Sequence, residues 1–256
     1  VMEAYNFYNV IERLDKADLL YHVLGEFASA KVNLHPDVVS NDQMGYIFEE
    51  LIRRFSELSN ETAGEHFTPR EVISLMVNIL FSPEEDINRI CADGAMASLY
   101  DPGAGTGGML SIAVQHVGEL NDTARLEVFG QELNPQTYAV AKSDIMIKGE
   151  RQERIYLGNS LTNDQTVGRR FDYMLCNPPF GVNWKKYAAP ILEEAERKGY
   201  QGRFGAGTPR VSDGSFLFLQ HMISKMQPYD PQDLRNAPGT RIAIVFPTVY
   251  WWIRTG

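Results

Sequence analysis

The sequence has few of the residues that hold small secreted or metal-dependent proteins together. Only two of its 256 residues are cysteines, Cys91 and Cys176, and they lie far apart. Neither a disulfide framework nor a cysteine-based metal cluster is therefore indicated. The histidines show no ligand spacing, so we expect no metal site. Two isolated thiols are typical of a reducing compartment, and we expect a cytoplasmic location.

Long apolar runs and an excess of positive charge are also missing. No stretch is long and apolar enough to span a membrane, and the N-terminus shows no signal peptide. The net charge is −9, whereas proteins that grip nucleic acid alone depend on Lys and Arg for most of their affinity. If this protein binds nucleic acid, a partner or a missing segment would have to supply much of the affinity. Because the sequence begins at Val1 and stops soon after an apolar strand, we expect a fragment of a longer protein.

Short apolar strands alternate with amphipathic helices through the middle of the sequence. This alternation predicts an α/β fold with a doubly wound, mostly parallel sheet. Residues 1–60 contain no strand pattern and predict an N-terminal helical region. The predicted strands are residues 97–100, 126–131, 155–157, 171–176 and 241–246, and the predicted helices between them are residues 109–117, 134–148 and 213–226, with a further helix over 70–81 before the first strand.

An acidic residue, a glycine-rich turn and a helix follow the first predicted strand. The turn, residues 101–108, reads Asp-Pro-Gly-Ala-Gly-Thr-Gly-Gly. Glycines let the backbone approach a ligand closely, and the helix offers free N–H groups and a positive dipole end. Gly103, Gly105 and Gly108 also satisfy the dinucleotide-binding pattern G-x-G-x-x-G. The stretch indicates a nucleotide-like ligand, with a plain tight turn as the alternative.

A second motif, Asn-Pro-Pro-Phe at residues 177–180, ends the fourth predicted strand. Open α/β sheets bind ligands at the carboxyl ends of their strands. Two prolines fix the backbone and remove N–H donors, so the Asn177 side-chain oxygen and the Pro178 carbonyl can both face a pocket. Glu132 ends the second strand, where an acid can accept both ribose hydroxyls of a nucleoside. It lies farther from Gly103 than the roughly 20 residues of the dinucleotide fingerprint, which weakens an NAD site.

With both motifs in view, the sequence resembles the class I S-adenosylmethionine (SAM)-dependent methyltransferases. It is similar, more narrowly, to DNA methyltransferases that act on amino groups, which carry Asn/Asp-Pro-Pro-Tyr/Phe. The helical N-terminus and residues 64–70 (Gly-Glu-His-Phe-Thr-Pro-Arg) resemble the modification subunit of type I restriction-modification systems. The resemblance implies a Rossmann-like catalytic domain over residues 61–256, truncated at its C-terminus, behind the helical region of residues 1–60.

The resemblance also implies SAM as the cofactor and assigns residues to it. Asp101 would contact the amino acid part, and Asn159 would accept from the adenine amino group at a position where the family more often has Asp. A turn-forming role for Asn159 and a capped helix start at Thr68 and Pro69 stay open as alternatives. The expected cofactor residues are His66, Phe67, Thr68, Pro69, Asp101, Gly103, Gly105, Thr106, Gly107, Gly108, Glu132, Asn159 and Asn177.

The implied reaction is methyl transfer to the N6 amino group of adenine in double-stranded DNA. The expected catalytic residues are Asn177, Pro178, Pro179 and Phe180. The target base must leave the duplex to be reached, and Phe180 would stack on it. A DNA specificity subunit is the expected partner in a hetero-oligomer, and a restriction subunit is a further candidate.

Three further segments carry predictions of their own. Residues 181–212 combine basic and aromatic side chains, which favours a loop that grips the DNA backbone, with a solvated loop as the alternative. Four glycines, at positions 199, 202, 205 and 207, predict that its second half is mobile. The N-terminal helices are interpreted as a docking surface for a subunit. In the helix at 213–226, spacing predicts an apolar face of Phe216, Leu219, Ile223 and Met226.

Two other classes of function stay open. A methyltransferase that acts on protein glutamine or on an RNA base amine would share the Asn-Pro-Pro-Phe chemistry. A SAM-binding assembly subunit without catalysis would share the cofactor site alone. An NAD-dependent oxidoreductase is a distant third, because nothing in that class explains residues 177–180.

Overall fold

The computed structural model of the chain describes residues 7–29, 31–35, 37–39, 43–44, 47, 50–51, 68–82, 84–147, 151, 154–232 and 239–246. Its helices and strands, in chain order, are α1 Phe7–Lys16, α2 Leu20–Phe27, α3 Arg70–Phe81, α4 Glu84–Ile90, β1 Met96–Asp101, α5 Gly108–Leu120, β2 Arg125–Glu132, α6 Pro135–Ile147, β3 Ile155–Leu157, β4 Tyr173–Cys176, α7 Ala188–Lys198, α8 Ser215–Ile223 and β5 Arg241–Ile244. Two short 3₁₀ helices, Lys185–Tyr187 and Gly199–Gln201, flank α7.

The strands form one parallel sheet in the order β3-β2-β1-β4-β5. The chain moves outward from β1 to β3 and then returns to the other side of β1 with β4. The strand order therefore reverses between β1 and β4, which is where open α/β sheets bind ligands. Asp101 ends β1, and Asn177 follows β4 directly, so the two motifs meet at this point. The predicted doubly wound parallel sheet is confirmed.

Alternate residues of the central strands enter two different cores. Leu99 of β1 and Leu175 of β4 pack with helices α3, α5 and α6 on one face of the sheet. Tyr100 and Met174, one position along, pack on the opposite face with Met222 of α8. All five side chains are fully buried. Successive residues of a strand face opposite sides of the sheet, so a strand that is covered on both faces is apolar at every position. The sheet therefore lies between helices on both sides.

Helix α3 and strand β3 have the predicted limits. In the N-terminal region that was predicted to be helical, the structure has two separate helices, α1 and α2. Asp18, between them, takes a left-handed φ of 54°. Neither helix buries a residue. Most of residues 40–60 lie outside the described residues. Among the helices that are described, none is long and apolar enough to cross a membrane.

The second half of residues 181–212, which was predicted to be mobile, folds against the end of α7 in the structure. Helix α7 precedes this second half; Trp184, before the helix, and Phe204, after it, are both buried. Glycine serves close packing here, because a Cβ on Gly205 would lie 2.2 Å from the carbonyl oxygen of Gly199. Gly202 and Gly205, where an added Cβ would lie within 3 Å of residues at the end of α7, therefore let the chain fold tightly there.

The predicted apolar face of α8 is wrong. Phe216 and Ile223 are 54% and 51% exposed, whereas Leu217, His221 and Met222 are fully buried. The His221 ring is hydrogen bonded at Nε2 to the Tyr100 hydroxyl, over 3.1 Å. A buried polar side chain with a partner has taken a position that hydrophobic periodicity assigns to apolar residues.

Candidate cofactor and substrate site

The glycine turn has a backbone that other residues would strain. Gly105 and Gly107 have φ values of 53° and 86°. Gly107 also precedes α5 directly, and a Cβ there would come within 3.3 Å of Ala141 on α6. The turn therefore holds the N-terminus of α5 close to α6 and open toward the sheet edge, where its free N–H groups can meet a ligand.

A cavity of about 500 Å³ lies at this sheet edge, between the ends of β1, β2, β3 and β4. Its volume suits a nucleoside-sized ligand. The structure brings most of the predicted site residues together around it. Those that line the cavity are Thr68, Asp101, Gly103, Gly105, Thr106, Gly108, Glu132, Asn159, Asn177 and Pro179.

Four predicted residues are close to the cavity in sequence but do not line it. Pro69 is the N-cap residue of α3, Gly107 packs on α6, Pro178 is buried, and Phe180 is half-buried. The predicted residues His66 and Phe67 lie outside the described part of the chain.

Sequence reasoning missed one wall of the cavity. It consists of side chains that follow the Asn-Pro-Pro-Phe motif and of residues near α8, namely Trp184, Lys186, Tyr187, Gly214 and Phe218. Trp184 and Tyr187 belong to residues 181–212, for which the sequence favours a loop that grips the DNA backbone. The buried Trp184 donates through its indole N–H to the Arg210 carbonyl over 3.0 Å, which holds this wall in place.

Asp101 is a buried carboxylate at the floor of the cavity, 1% exposed. Its Oδ1 accepts a hydrogen bond from the backbone N–H of Gly103 over 2.9 Å. Burial, helped by the negative charge of Glu132 and opposed by that hydrogen bond, raises the pKa of Asp101 from 3.8 to about 7. A carboxylate kept out of water in this way favours a cationic ligand group that restores its charged form.

Glu132 is fixed by the two turns that flank it. Its Oε2 accepts from the Gly105 N–H over 2.7 Å, and its Oε1 accepts from the Asn134 N–H over 2.8 Å. A carboxylate oxygen can accept more than one hydrogen bond. The arrangement therefore both ties β2 to the glycine turn and presents an acid to the cavity.

Asn159 lines the cavity, but its oxygen already has a partner. Oδ1 accepts from the Leu161 N–H over 2.9 Å, which is the geometry of an Asx turn. The carbonyl of Asn159 accepts from Thr162 and Asn163 in the same turn. These contacts agree with the turn-forming alternative for this residue.

Asn177 pairs only half of its side chain. Its Nδ2 donates to the Thr68 hydroxyl over 2.8 Å, while Oδ1 is buried without a hydrogen-bond partner. Rotating the amide would leave both N–H groups unpaired, which is rarer in proteins than an unpaired acceptor. An unsatisfied buried acceptor costs about 1–3 kcal/mol. The same contact shows that Thr68 does not cap α3, whose N-cap is Pro69 with no side-chain cap.

The described residues contain no group of three or more His, Cys, Asp or Glu side chains arranged to hold a metal ion. The site therefore consists of a glycine turn, two acids and one oriented amide. A doubly wound sheet that carries these features at its switch point defines a Rossmann-like protein with a nucleoside-sized site.

Comparison with known proteins identifies the family. Residues 39–233 match the family described as N-6 DNA Methylase, and the chain belongs to it. It is 28% identical over 194 residues to the HindI type I restriction enzyme methylase subunit of Haemophilus influenzae, covering 74% of this chain and 39% of that protein. It is 26% identical over 188 residues to the MjaIX methylase subunit of Methanocaldococcus jannaschii, covering 73% and 31%.

A solved structure gives the same result. The methyltransferase subunit of a type I restriction-modification system from Streptococcus thermophilus superposes with a TM-score of 0.62 at 28% identity, over 81% of this chain and 41% of that one. The chain thus spans between about a third and two fifths of the length of these relatives.

Proposed function

We propose that this chain transfers a methyl group from SAM to the N6 amino group of adenine in double-stranded DNA, within the modification subunit of a type I restriction-modification system. Family membership supports the reaction, and similarity to type I methylase subunits supports the system. The observation that carries the proposal is the buried, unpartnered Oδ1 of Asn177 at the cavity. It is an acceptor oriented for an amino group that the protein itself does not supply.

The cavity residues fit SAM by their chemistry. The buried carboxylate of Asp101 would hold the amino group of the cofactor, whose positive charge offsets the cost of burying that acid. Glu132, which lines the cavity at the end of β2, would accept from the ribose hydroxyls. The glycine turn permits close approach of its backbone. When bound, SAM supplies an electrophilic methyl group whose leaving group is a neutral sulfide.

The residues after β4 would prepare the target nitrogen. An arylamine is a poor nucleophile because its lone pair is delocalised into the ring. Oxygens of Asn177 and Pro178 would accept its two hydrogens and favour a pyramidal nitrogen with its lone pair directed at the methyl group. No strong base is needed before attack, since the proton can leave afterwards. Catalysis then depends on position and oriented dipoles.

The assembly is part of the proposal. A net charge of −9 is unfavourable for a chain that binds DNA alone, which supports a specificity subunit, and a restriction subunit, as partners in a hetero-oligomer. Residues 1–60 would form the helical docking region and residues 61–256 the catalytic domain. With genomic DNA as its substrate, the enzyme would act in the cytoplasm.

Titration calorimetry with SAM, S-adenosylhomocysteine and NAD tests the cofactor, and transfer of a labelled methyl group tests the substrate. We expect both adenosyl compounds to bind and NAD not to bind. Transfer should require adenine-containing duplex DNA together with a specificity subunit. Transfer to protein glutamine or to RNA instead would contradict the proposed substrate, and NAD binding alone would contradict the cofactor.

Replacing Thr68 with valine should slow methyl transfer about tenfold, because valine cannot accept from Nδ2 and leaves the Asn177 amide free to rotate. The affinity for SAM, measured by calorimetry, should change by less than about twofold if that amide contact is the role of Thr68. Thr68→Ser keeps the hydroxyl and should retain transfer. A large loss of SAM affinity with unchanged turnover would show that the hydroxyl contacts the cofactor.

Replacing Phe180 with alanine should raise the KM for DNA by about tenfold or more, since stacking contributes roughly 1–3 kcal/mol per base. Affinity for SAM should stay unchanged, because Phe180 does not line the cofactor cavity. Phe216→Ala is the control, an aromatic residue that is 54% exposed on α8 and does not line the cavity. Equal KM values for DNA in the two variants would exclude Phe180 as the stacking residue.

A further inference from the structure

Arg203 connects two walls of the cavity without lining the cavity itself. Arg203 lies in the loop that follows α7, and its side chain is 17% exposed. The basic residues of 181–212 were predicted to grip the DNA backbone. Arg203 does not fit that prediction, because its guanidinium points into the protein.

The first partner of Arg203 is Glu194 on α7. The guanidinium Nε donates to both carboxylate oxygens over 3.1 Å, and Nη2 donates to Oε2 over 2.6 Å. The backbone N–H of Arg203 also donates to Oε1 over 2.9 Å. Burial opposes ionisation of Glu194, but the hydrogen bonds and charge of Arg203 lower its pKa overall. Arg203 is therefore fixed to the element that follows Trp184 and Tyr187 in the chain.

The second set of partners belongs to the opposite wall. Nη1 donates to the Ser160 carbonyl over 3.0 Å, and Nη2 donates to the Leu161 carbonyl over 2.9 Å. Both residues line the cavity beside Asn159. Ser160 in turn donates through its hydroxyl to the Pro102 carbonyl, in the glycine turn, over 2.5 Å. One side chain thus reaches the α7 segment, the loop after β3 and, through Ser160, the turn after β1.

The last donor of Arg203 meets a neutral imidazole. Nη1 lies 3.2 Å from Nδ1 of His221. Burial lowers the pKa of His221 to about 3, so Nδ1 accepts from Arg203 and the Nε2–H faces the Tyr100 hydroxyl. All five guanidinium N–H groups therefore have protein partners, which is the full donor capacity of arginine. None is left for a phosphate.

We propose that Arg203 is a positioning residue for the cofactor: it sets the spacing between the wall at Ser160 and Leu161 and the wall at Trp184 and Tyr187. This inference rests on the proposed function, because it assigns the adenosine part of SAM to the space between those walls. Lysine, with three donors and no planar fork, cannot reproduce the arrangement.

Calorimetry on Arg203→Gln tests the proposal, with Arg154→Gln as a matched control. Arg154 is shielded to a similar extent, with its side chain 14% exposed; it pairs with Glu127 over 2.5 Å and lies over the Phe129 ring at 4.9 Å, but it does not line the cavity. The probes are SAM and 5′-methylthioadenosine, at a temperature well below both melting points. We expect Arg203→Gln to weaken both by about tenfold or more, and to raise the KM for SAM more than it lowers kcat. Arg154→Gln should stay within about twofold.

Unchanged affinity in Arg203→Gln, with a loss of thermal stability like that of Arg154→Gln, would overturn the proposal and leave Arg203 a structural residue. If Arg203→Gln does not fold, Arg203→Lys keeps the charge and is judged by the same criterion. Wild-type protein that binds neither probe would contradict the cofactor assignment itself, and this inference with it. Wild-type binding with an unaffected Arg203 variant contradicts the inference alone.

Discussion

Asn177→Ala is expected to lower the rate of methyl transfer by about a thousandfold or more while the affinity for SAM changes little. Removing one preorganised polar group that faces developing charge costs about 10²–10³ in turnover, and here the same substitution also removes the amide fixed by Thr68. The alanine leaves no acceptor for one amino hydrogen of the target. Single-turnover transfer of labelled methyl groups, beside calorimetry with SAM, separates chemistry from cofactor binding.

Two further substitutions sharpen this test. Asn177→Asp keeps an acceptor oxygen, and the Thr68 hydroxyl can reverse its role and donate to the carboxylate, so partial activity should survive. Asn183→Ala removes a second amide from the same cavity, but one whose oxygen already accepts from the Lys185 N–H over 2.8 Å. It should retain transfer within about tenfold. Full activity in Asn177→Ala would refute the mechanism.

Asp101→Asn is expected to weaken SAM binding and to raise the free energy of unfolding. In the cofactor-free protein burial raises the pKa of Asp101 from 3.8 to about 7. Between these pH values the unfolded chain is ionised and the folded chain is protonated, so the free energy of unfolding falls as pH rises from about 4 to about 7. The cost above pH 7 is at most about 4 kcal/mol. Asparagine removes it, and the variant should unfold at higher denaturant concentration than wild type at pH 8.

The affinity for SAM should change with pH in the opposite direction to the free energy of unfolding. If only the charged carboxylate binds the amino group of SAM, affinity in wild type should rise up to about tenfold per pH unit as pH approaches 7. Asp101→Asn should bind SAM weakly at every pH. Asp172→Asn is the contrasting control: this buried acid pairs with Arg89 and accepts from Ser98, and its loss should destabilise the protein. A pH-independent SAM affinity in wild type would contradict the role of Asp101.

The spacing of apolar residues and the positions of glycine and proline were enough to predict the alternating strands and helices of the central sheet. β3 is a short apolar run before the turn that begins at Gly158, and its limits match the prediction at both ends. The strand order was not predicted; the structure shows that it brings the two motifs to one edge of the sheet. Those motifs were predictable because their residues have few structural uses elsewhere.

Features that depend on specific partners were not predictable. Nothing in the sequence shows that Arg203 points inward to five protein acceptors while its basic neighbours face out. The glycine at position 205 was interpreted as a source of mobility, because only coordinates show which backbone atoms lie against it. Likewise, the buried face of α8 could not be found by counting apolar residues, since His221 is part of it.

The contact between Asn177 and Thr68 joins residues 109 positions apart in the sequence. A parallel sheet has no local hairpins, so β1, β2 and β4 come together only after loops of many residues have closed. The amide that would hold the target nitrogen therefore acquires its orientation only when distant parts of the chain have assembled. A partly folded chain can contain native helices and still have no activity. The appearance of methyltransferase activity during refolding would therefore indicate that the tertiary structure is complete.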